Sequence, residues 1–214
     1  MRTLGCLAVF TAALVCVAAP PAAADTPAGA ADLGSADFTK TGTTVTVPTL
    51  APCSVDGGET ASSGVVKKTG LTFGGGTSSC TTTVVSEDDG TTATSAKANG
   101  KDFELSALVS LGGPRIKLRS YSVTCDANQN GTNARWSFSG MTGISALPSP
   151  VPAGYTRAIT KGSAGPVLAN AVFNIQSKPG DGSIAITMLR IEFAPASGIT
   201  GSVTLGTAGC TPTP

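Results

Sequence analysis

Asp126-Ala127-Asn128-Gln129-Asn130-Gly131 places oxygen-bearing side chains at alternate positions and ends in glycine, the first half of a calcium loop. A hard cation needs oxygen ligands at that spacing and a residue that permits the sharp turn. Asp126, Asn128 and Asn130 are therefore the candidate metal ligands. The twelfth position is Ser137, where such loops place a bidentate Glu, and only one carboxylate lies in the loop. Any calcium affinity is expected to be poor. The same residues also read as a turn, because Asn130-Gly131 is a strong signal for a two-residue type I′ hairpin corner. The turn is the expected outcome.

Acid/base chemistry would fall to Asp102, Glu104 and Glu192. Residues two apart on a strand are about 6.5–7 Å apart, close to the carboxylate separation of an inverting glycosidase. All three oppose the apolar parity of their strands, so an ordinary wet sheet face is expected there. The chain has no histidine, which removes Ser-His-Asp and Cys-His chemistry, His-ligated metals and a His general base. No lysine has a serine three residues before it, so a Ser/Lys dyad of that spacing is absent. For sugar stacking the candidates are Trp136, Tyr121 and Tyr155. Trp136 alternates with Phe138 as a core residue would, and Tyr155, in a Pro/Gly-rich excursion over 140–165, is the candidate expected to be exposed.

The six cysteines are set by what precedes them. One basic residue, Arg2, an apolar run and Ala22-Ala23-Ala24 before Asp25 read as a secretory signal with an A-x-A cleavage site. Cys6 and Cys16 leave with residues 1–24. Cys53, Cys80, Cys125 and Cys210 remain, an even number in an exported chain, and two disulfides are expected. Three connectivities are possible and loop arithmetic does not choose among them. A local Cys53–Cys80 bridge with a long Cys125–Cys210 bridge is the preferred pairing, each stabilising by about 2–4 kcal/mol. The spacings are far from C-x-x-C, which argues against zinc.

Loss of Arg2 with the signal leaves 13 basic and 13 acidic residues. A neutral chain without a basic cluster is not expected to bind nucleic acid or a membrane electrostatically. No segment after the signal is apolar and long enough for a membrane span.

The elements that must position these residues read as strands. Residues 25–35 are small and unpatterned and are expected to be a flexible mature N-terminus. One β-rich domain is expected over 36–210, followed by a stub at 211–214. Thr- and Val-rich runs alternate with Gly and Asp clusters, as in an all-β chain. Glu87-Asp88-Asp89-Gly90 is expected as a solvated hairpin loop. Phe103, Leu105, Ala107, Val109 and Leu111 share one parity, predicting a strand as far as Leu111. Asp181-Gly182 is the expected corner of a late hairpin. Two later runs change parity partway: Ile116 and Leu118 are followed by Tyr121, Val123 and Cys125, and Ile184, Ile186 and Met188 by Leu189, Ile191 and Phe193. Each strand must bulge or bend there. The expected fold is an all-β, disulfide-stapled β-sandwich with Greek-key connections.

The segments RIKLRSYSVTC, WSFSGMTGI, PVLANAVFNIQ, GSIAITMLRIEF and TGSVTLGTAGC resemble exported actinobacterial proteins of the choice-of-anchor P type, over 115–210. The resemblance implies a secreted or cell-surface β-rich protein whose late cysteines correspond to Cys125 and Cys210, which supports the long bridge. It brings no catalytic residues. Members often end in an anchoring segment, and no sorting motif or hydrophobic tail precedes Pro214. The expected function is a non-enzymatic structural or interaction module of a bacterial surface or medium, without a cofactor. The alternatives are a carbohydrate-binding or adhesive module and, third, a carboxylate-dependent hydrolase. The sequence names no partner; a cell-wall or other glycan, or a surface protein, is the class such a module would bind.

Overall fold

Short Thr-, Val- and Ile-bearing runs punctuated by glycine form fourteen strands in the computed structural model, which describes residues 28–213. The segment 1–24 expected as a signal, with Cys6 and Cys16, lies outside them. The strands are β1 (Gly29–Lys40), β2 (Thr43–Leu50), β3 (Cys53–Ser54), β4 (Thr60–Ser63), β5 (Val66–Lys68), β6 (Leu71–Phe73) and β7 (Gly76–Ser86). They continue as β8 (Thr91–Leu105), β9 (Ile116–Asn128), β10 (Gly131–Ser139), β11 (Tyr155–Thr160), β12 (Val167–Ser177), β13 (Ile184–Phe193) and β14 (Ile199–Cys210).

Two antiparallel sheets pack face to face. Sheet A runs β11-β12-β13-β14-β1-β2, with β3 also on β1; sheet B runs β10-β9-β8-β6-β5, with β7 on β8 and β4 on β7. The sandwich agrees with expectation, but the Greek-key connections do not. Consecutive strands are mostly spatial neighbours, so the path is a set of meanders, closed by the first strand pairing with the last from Gly29↔Cys210 to Lys40↔Ile199. Phe38, Phe73, Phe103 and Phe173, with Leu33, Leu105, Ile116 and Leu118, are fully buried between the sheets. Cys53 on β3 bonds Cys80 on β7, and Cys125 on β9 bonds Cys210 on β14. Each disulfide therefore ties sheet A to sheet B.

The expected flexible segment at 25–35 is corrected over its described part. Gly29 to Ser35 belong to β1, an interior strand paired on both sides. Its small residues conceal the pattern and also explain the position: a Cβ at Gly34 would lie 2.2 Å from the Thr204 carbonyl oxygen of the neighbouring strand. The stub at 211–213 has no strand or helix but is held, with Thr211 N–H donating to the Ala28 carbonyl (3.2 Å) and the Thr213 hydroxyl to that of Thr92 (2.6 Å).

The strand expected as far as Leu111 ends at Leu105 and gives way to a single 3-10 turn, Val109–Leu111. The N–H groups of Ser106 and Ala107 both donate to the Gly70 carbonyl (2.8 and 3.0 Å), and Lys40 Nζ donates to the Ala107 carbonyl and the Ser110 hydroxyl, each at 2.7 Å. These bonds turn the chain out of the sheet and leave Val109 exposed.

The two parity breaks have one geometric cause. In sheet A the ladders skip Asn174–Met188, Met188–Gly206 and Gly206–Leu33, one line across β12, β13, β14 and β1. Asn174 has φ 54° and Gly206 φ 64°, left-handed values that Asn and Gly adopt most readily. In sheet B the skipped pair is Asp102–Arg119, and Asp102 has φ 49°. Buried positions change parity at these lines: Ala96 and Ala98 give way to Phe103 and Leu105 on β8, and Val203 and Leu205 to Ala208 and Cys210 on β14. The sheets are kinked, and among the described residues no strand crosses between them.

Polar groups at the kink are satisfied from the side chains. The Tyr121 hydroxyl crosses from sheet B and donates to the Leu33 carbonyl at 2.8 Å. The half-buried Asp32 carboxylate accepts the Thr207 hydroxyl and the Gly34 N–H. Asn174 Nδ2 donates to the Val151 carbonyl (3.2 Å), while its own carbonyl accepts the Gly154 N–H (2.9 Å). The Tyr121 ring lies over Gly100, where a Cβ would meet Cζ at 2.1 Å.

Candidate functional site

Alternation along β7, β8, β9 and β10 sends Cys80, Ala96, Ala98, Val123, Cys125 and Trp136 inward and a largely polar set onto one outer face. Register aligns the outward residues in rows. Thr81, Ser95, Asp126 and Asn133 form one row; Ser79, Lys97, Thr124 and Arg135 the next; Thr77, Asn99, Ser122 and Ser137 the third. Rows are spaced by about 6.5–7 Å and strands by about 4.8 Å. All twelve positions are polar, and all but the buried Thr124 are exposed or half-exposed. Two shallow depressions that share Ser95 lie on this face, one of about 560 Å³ bordered by Thr81, Asp126 and Asn128, and one of about 360 Å³ bordered by Lys97, Thr124 and Arg135. Such a lattice of hydroxyls, amides and charges can hydrogen-bond a polyhydroxylated ligand across several strands at once.

The charges differ in how they are held. Asp126 pairs with Arg135 at 2.7 Å and accepts the Ser95 hydroxyl at 2.7 Å. Glu104 takes Arg115 and Lys117, the latter at 3.2 Å. Partial burial raises the Glu104 carboxyl, but the hydrogen bonds and charges of Lys117 and Arg115 outweigh it and hold the group below the usual glutamate range. Lys97, Lys101 and Arg119 form no ion pair among the described residues.

The three candidate calcium ligands lie at the same end of sheet B. Asp126 and Asn128 share the outer face of β9 and Asn130 lies in the turn that follows. The expected corner at Asn130-Gly131 is corrected: Asn128 pairs with Gly131, so Gln129 and Asn130 form the two-residue corner. Neither has a positive φ, so the turn is not type I′. Asn128 Oδ1 accepts the Asn130 N–H at 2.8 Å, an Asx bond that moves the corner one residue upstream. Both oxygens of Asp126, one held by Ser95 and the other by Arg135, and that of Asn128 are thus engaged within the protein. No group of three or more His, Cys, Asp or Glu side chains suited to a metal occurs among the described residues.

The three carboxylates weighed for catalysis do not all share one site. Asp102 and Glu104 border a shallow depression of about 320 Å³ on sheet B, together with Lys117 and Arg119. Glu192 is on β13 of sheet A, 3.7 Å from Arg190. Glu104, held ionised, has the opposite of the raised pKa a proton donor needs.

The aromatic candidates gather elsewhere. Trp136 and Phe138 lie on the inner face of the edge strand β10, half-buried and stacked with centroids 5.9 Å apart, and each ring is 6.5 Å from Phe173. Tyr155, expected to be exposed in the 140–165 excursion, is half-buried at the start of β11, directly opposite Phe173. Tyr121 is core. Between β11 and the segments 112–114 and 143–145 lies a separate opening of about 460 Å³, with Arg157 as its charged lining residue.

Sequence reasoning missed Lys97, Lys101, Arg119 and Arg135. Their polar parity is visible within each strand. That β8, β9 and β10 lie side by side in this register is not. The chain matches no known family model, no curated protein and no solved structure. No helix among the described residues is long and apolar enough to cross a membrane.

Proposed function

We propose that this chain is an exported, non-enzymatic interaction module of a bacterial cell surface or the surrounding medium, and that it binds through the outer face of sheet B. The observation that carries this reading is the polar array of twelve aligned positions across four adjoining strands of a sheet stapled twice to its partner. An array with no apolar member suits reversible contact with a hydrated ligand better than burial against a hydrophobic protein partner. The signal at 1–24, the two disulfides and the resemblance to choice-of-anchor P proteins support export.

A carbohydrate-binding or adhesive module is the form of this reading that the array favours. Hydroxyl and amide groups on adjacent strands match the hydrogen-bonding pattern of a sugar chain, while Trp136 is turned toward the core behind β10 and Tyr155 is half-buried on β11 of sheet A.

The test is retention of the folded, oxidised protein on insoluble bacterial cell walls and on polysaccharide resins. Retention is expected, and it should be lost when Asn99 and Ser122, in the third row of the array, are both replaced by Trp. Failure of the unaltered protein to be retained on any wall or glycan, or full retention of the N99W/S122W variant, would overturn the proposal.

A further inference from the structure

Residues 25–214 carry equal numbers of basic and acidic side chains, yet the outer face of sheet B does not. Along β8 and β9 it carries Lys97, Lys101, Lys117 and Arg119, with Arg135 on β10, Arg115 just before β9 and Lys67 on β5 in the row of Thr72, Glu104 and Lys117. Only three carboxylates, Asp102, Glu104 and Asp126, lie among these seven cations. The face thus has a surplus of four positive charges, and the remainder of residues 25–214 has a matching negative excess. Glu104 and Asp126 engage Arg115, Lys117 and Arg135. The cations left over, Lys67, Lys97, Lys101 and Arg119, are the unpaired ones among the described residues of this face.

Lys97 and Lys101 are four residues apart on one strand, about 13 Å at strand pitch. Between them lies Asn99, and in register beside them on β9 are Thr124, Ser122 and Ser120. Ser120 shares a hydrogen bond of 2.7 Å with Ser139 on β10. Positive charges therefore alternate with neutral hydrogen-bonding groups along the strands, and Arg119 extends the line across the kink. A compact anion would use one cation and leave the others idle. An extended polyanion with hydroxyls between its charges uses all of them.

We infer that the ligand of this face is a linear anionic polysaccharide, its carboxylate or phosphate groups held by Lys97, Lys101 and Arg119 and its hydroxyls by the Ser, Thr and Asn side chains between them. This rests on the outer face of sheet B being the binding surface. A single-stranded nucleic acid fits less well, because its bases require exposed aromatic rings to stack on. Among the described residues this face presents none, since Trp136, Phe138 and Tyr121 all point inward. A lipid surface fits less well too, because among the described residues no exposed large apolar side chain lies between Lys97, Lys101 and Arg119 to enter it.

The experiment is calorimetric titration of the folded, oxidised protein with four probes: polygalacturonate, poly(glycerol phosphate), neutral dextran and a short single-stranded DNA. At least one of the two anionic glycopolymers should bind about tenfold more tightly than dextran and weaken as salt is added, and which of them does so identifies the anion. The variant K97A/K101A/R119A should lose about tenfold in that affinity, the change that three exposed ion pairs of ordinary strength supply together. R157A/K161A/K178A, with the same change in net charge away from the face, should bind like the unaltered protein. Equal loss in the two variants would overturn the assignment to this face, and tighter binding of DNA than of either glycopolymer would overturn the ligand class. Retention on whole cell walls without affinity for either anionic polymer would overturn this inference while leaving the interaction module standing. No retention and no binding would remove both.

Discussion

Replacing Tyr121 by Phe removes one oxygen atom and tests the physical account of the kink. The ring should stay where it is, over Gly100 and against Gly206, because those contacts fix its position without the hydroxyl. What is lost is the 2.8 Å bond to the Leu33 carbonyl, in the stretch where the ladder between β1 and β14 skips a pair. Tyr121 is 3 % exposed, so water cannot readily replace the donor. Burial, and secondarily the nearby charge of Asp32, push its phenol pKa up, so the hydroxyl remains a donor throughout the neutral range. An unsatisfied buried acceptor costs about 1–3 kcal/mol. For a domain of this size that is roughly 2–12 °C in Tm. Urea denaturation at neutral pH should show a lower midpoint with an unchanged slope. Tyr155→Phe is the control: its hydroxyl has no hydrogen-bond partner within the described residues, and the change should be below about 0.5 kcal/mol. A Y121F midpoint indistinguishable from that of the unaltered protein would refute the claim that this hydroxyl satisfies the kink.

Three further outcomes follow from the geometry. Removing Cys125 and Cys210 together should cost about 4.6 kcal/mol and removing Cys53 and Cys80 about 3.6 kcal/mol, from loop entropies for separations of 85 and 27 residues; denaturant midpoints in the reverse order would contradict this. Asp32 is held above its ordinary value of 3.8, chiefly by burial and only partly offset by the Thr207 and Gly34 hydrogen bonds. Its protonation favours the folded state, so that contribution is full below the ordinary value and is lost as pH rises through the folded one. Asp32→Asn should flatten the fall in stability over that window, and parallel curves for variant and unaltered protein would count against it. Glu104 acts in the opposite sense, its contribution being lost as pH falls through its lowered value. Chelator should leave Tm unchanged, because Asp126 is already tied to Arg135 and Ser95; a drop in Tm with EDTA, restored by calcium, would reinstate Asp126, Asn128 and Asn130 as metal ligands.

Much of the fold is legible in the sequence because strand burial has a period of two. The parity changes in 116–125 and 184–193 locate the kink in β9 and β13 from the sequence alone. What they do not show is that the neighbouring strands break at the same level, since Asp102, Asn174 and Gly206 reveal their left-handed backbones only in the register of the sheets. The first strand escapes notice for a related reason. Between Gly29 and Ala36 Leu33 is the one large apolar side chain, Gly34 being required by the closeness of the Thr204 carbonyl, and the small residues around it give almost no hydrophobic contrast. Conversely, Ala107 keeps the parity of a strand that has already ended at Leu105, because it is buried under a turn held by Lys40 and Gly70. The corner after β9 is displaced by the Asn128 side chain, a local bond that the Asn-Gly signal does not weigh. The candidate binding face lies furthest from reach. Its rows are made of residues up to about sixty positions apart in the chain, and single-strand periodicity says only that each points outward.

The most direct test is a map of backbone amide perturbations in the folded protein as an anionic glycan is titrated in. Shifts or slowed hydrogen exchange should concentrate at Ser95 to Lys101 on β8, Arg119 to Asp126 on β9 and Asn133 to Ser137 on β10, with sheet A unaffected. Perturbations centred instead on Tyr155, Arg157 and the opening beside β11, or spread evenly over both sheets, would contradict the assignment of binding to the outer face of sheet B.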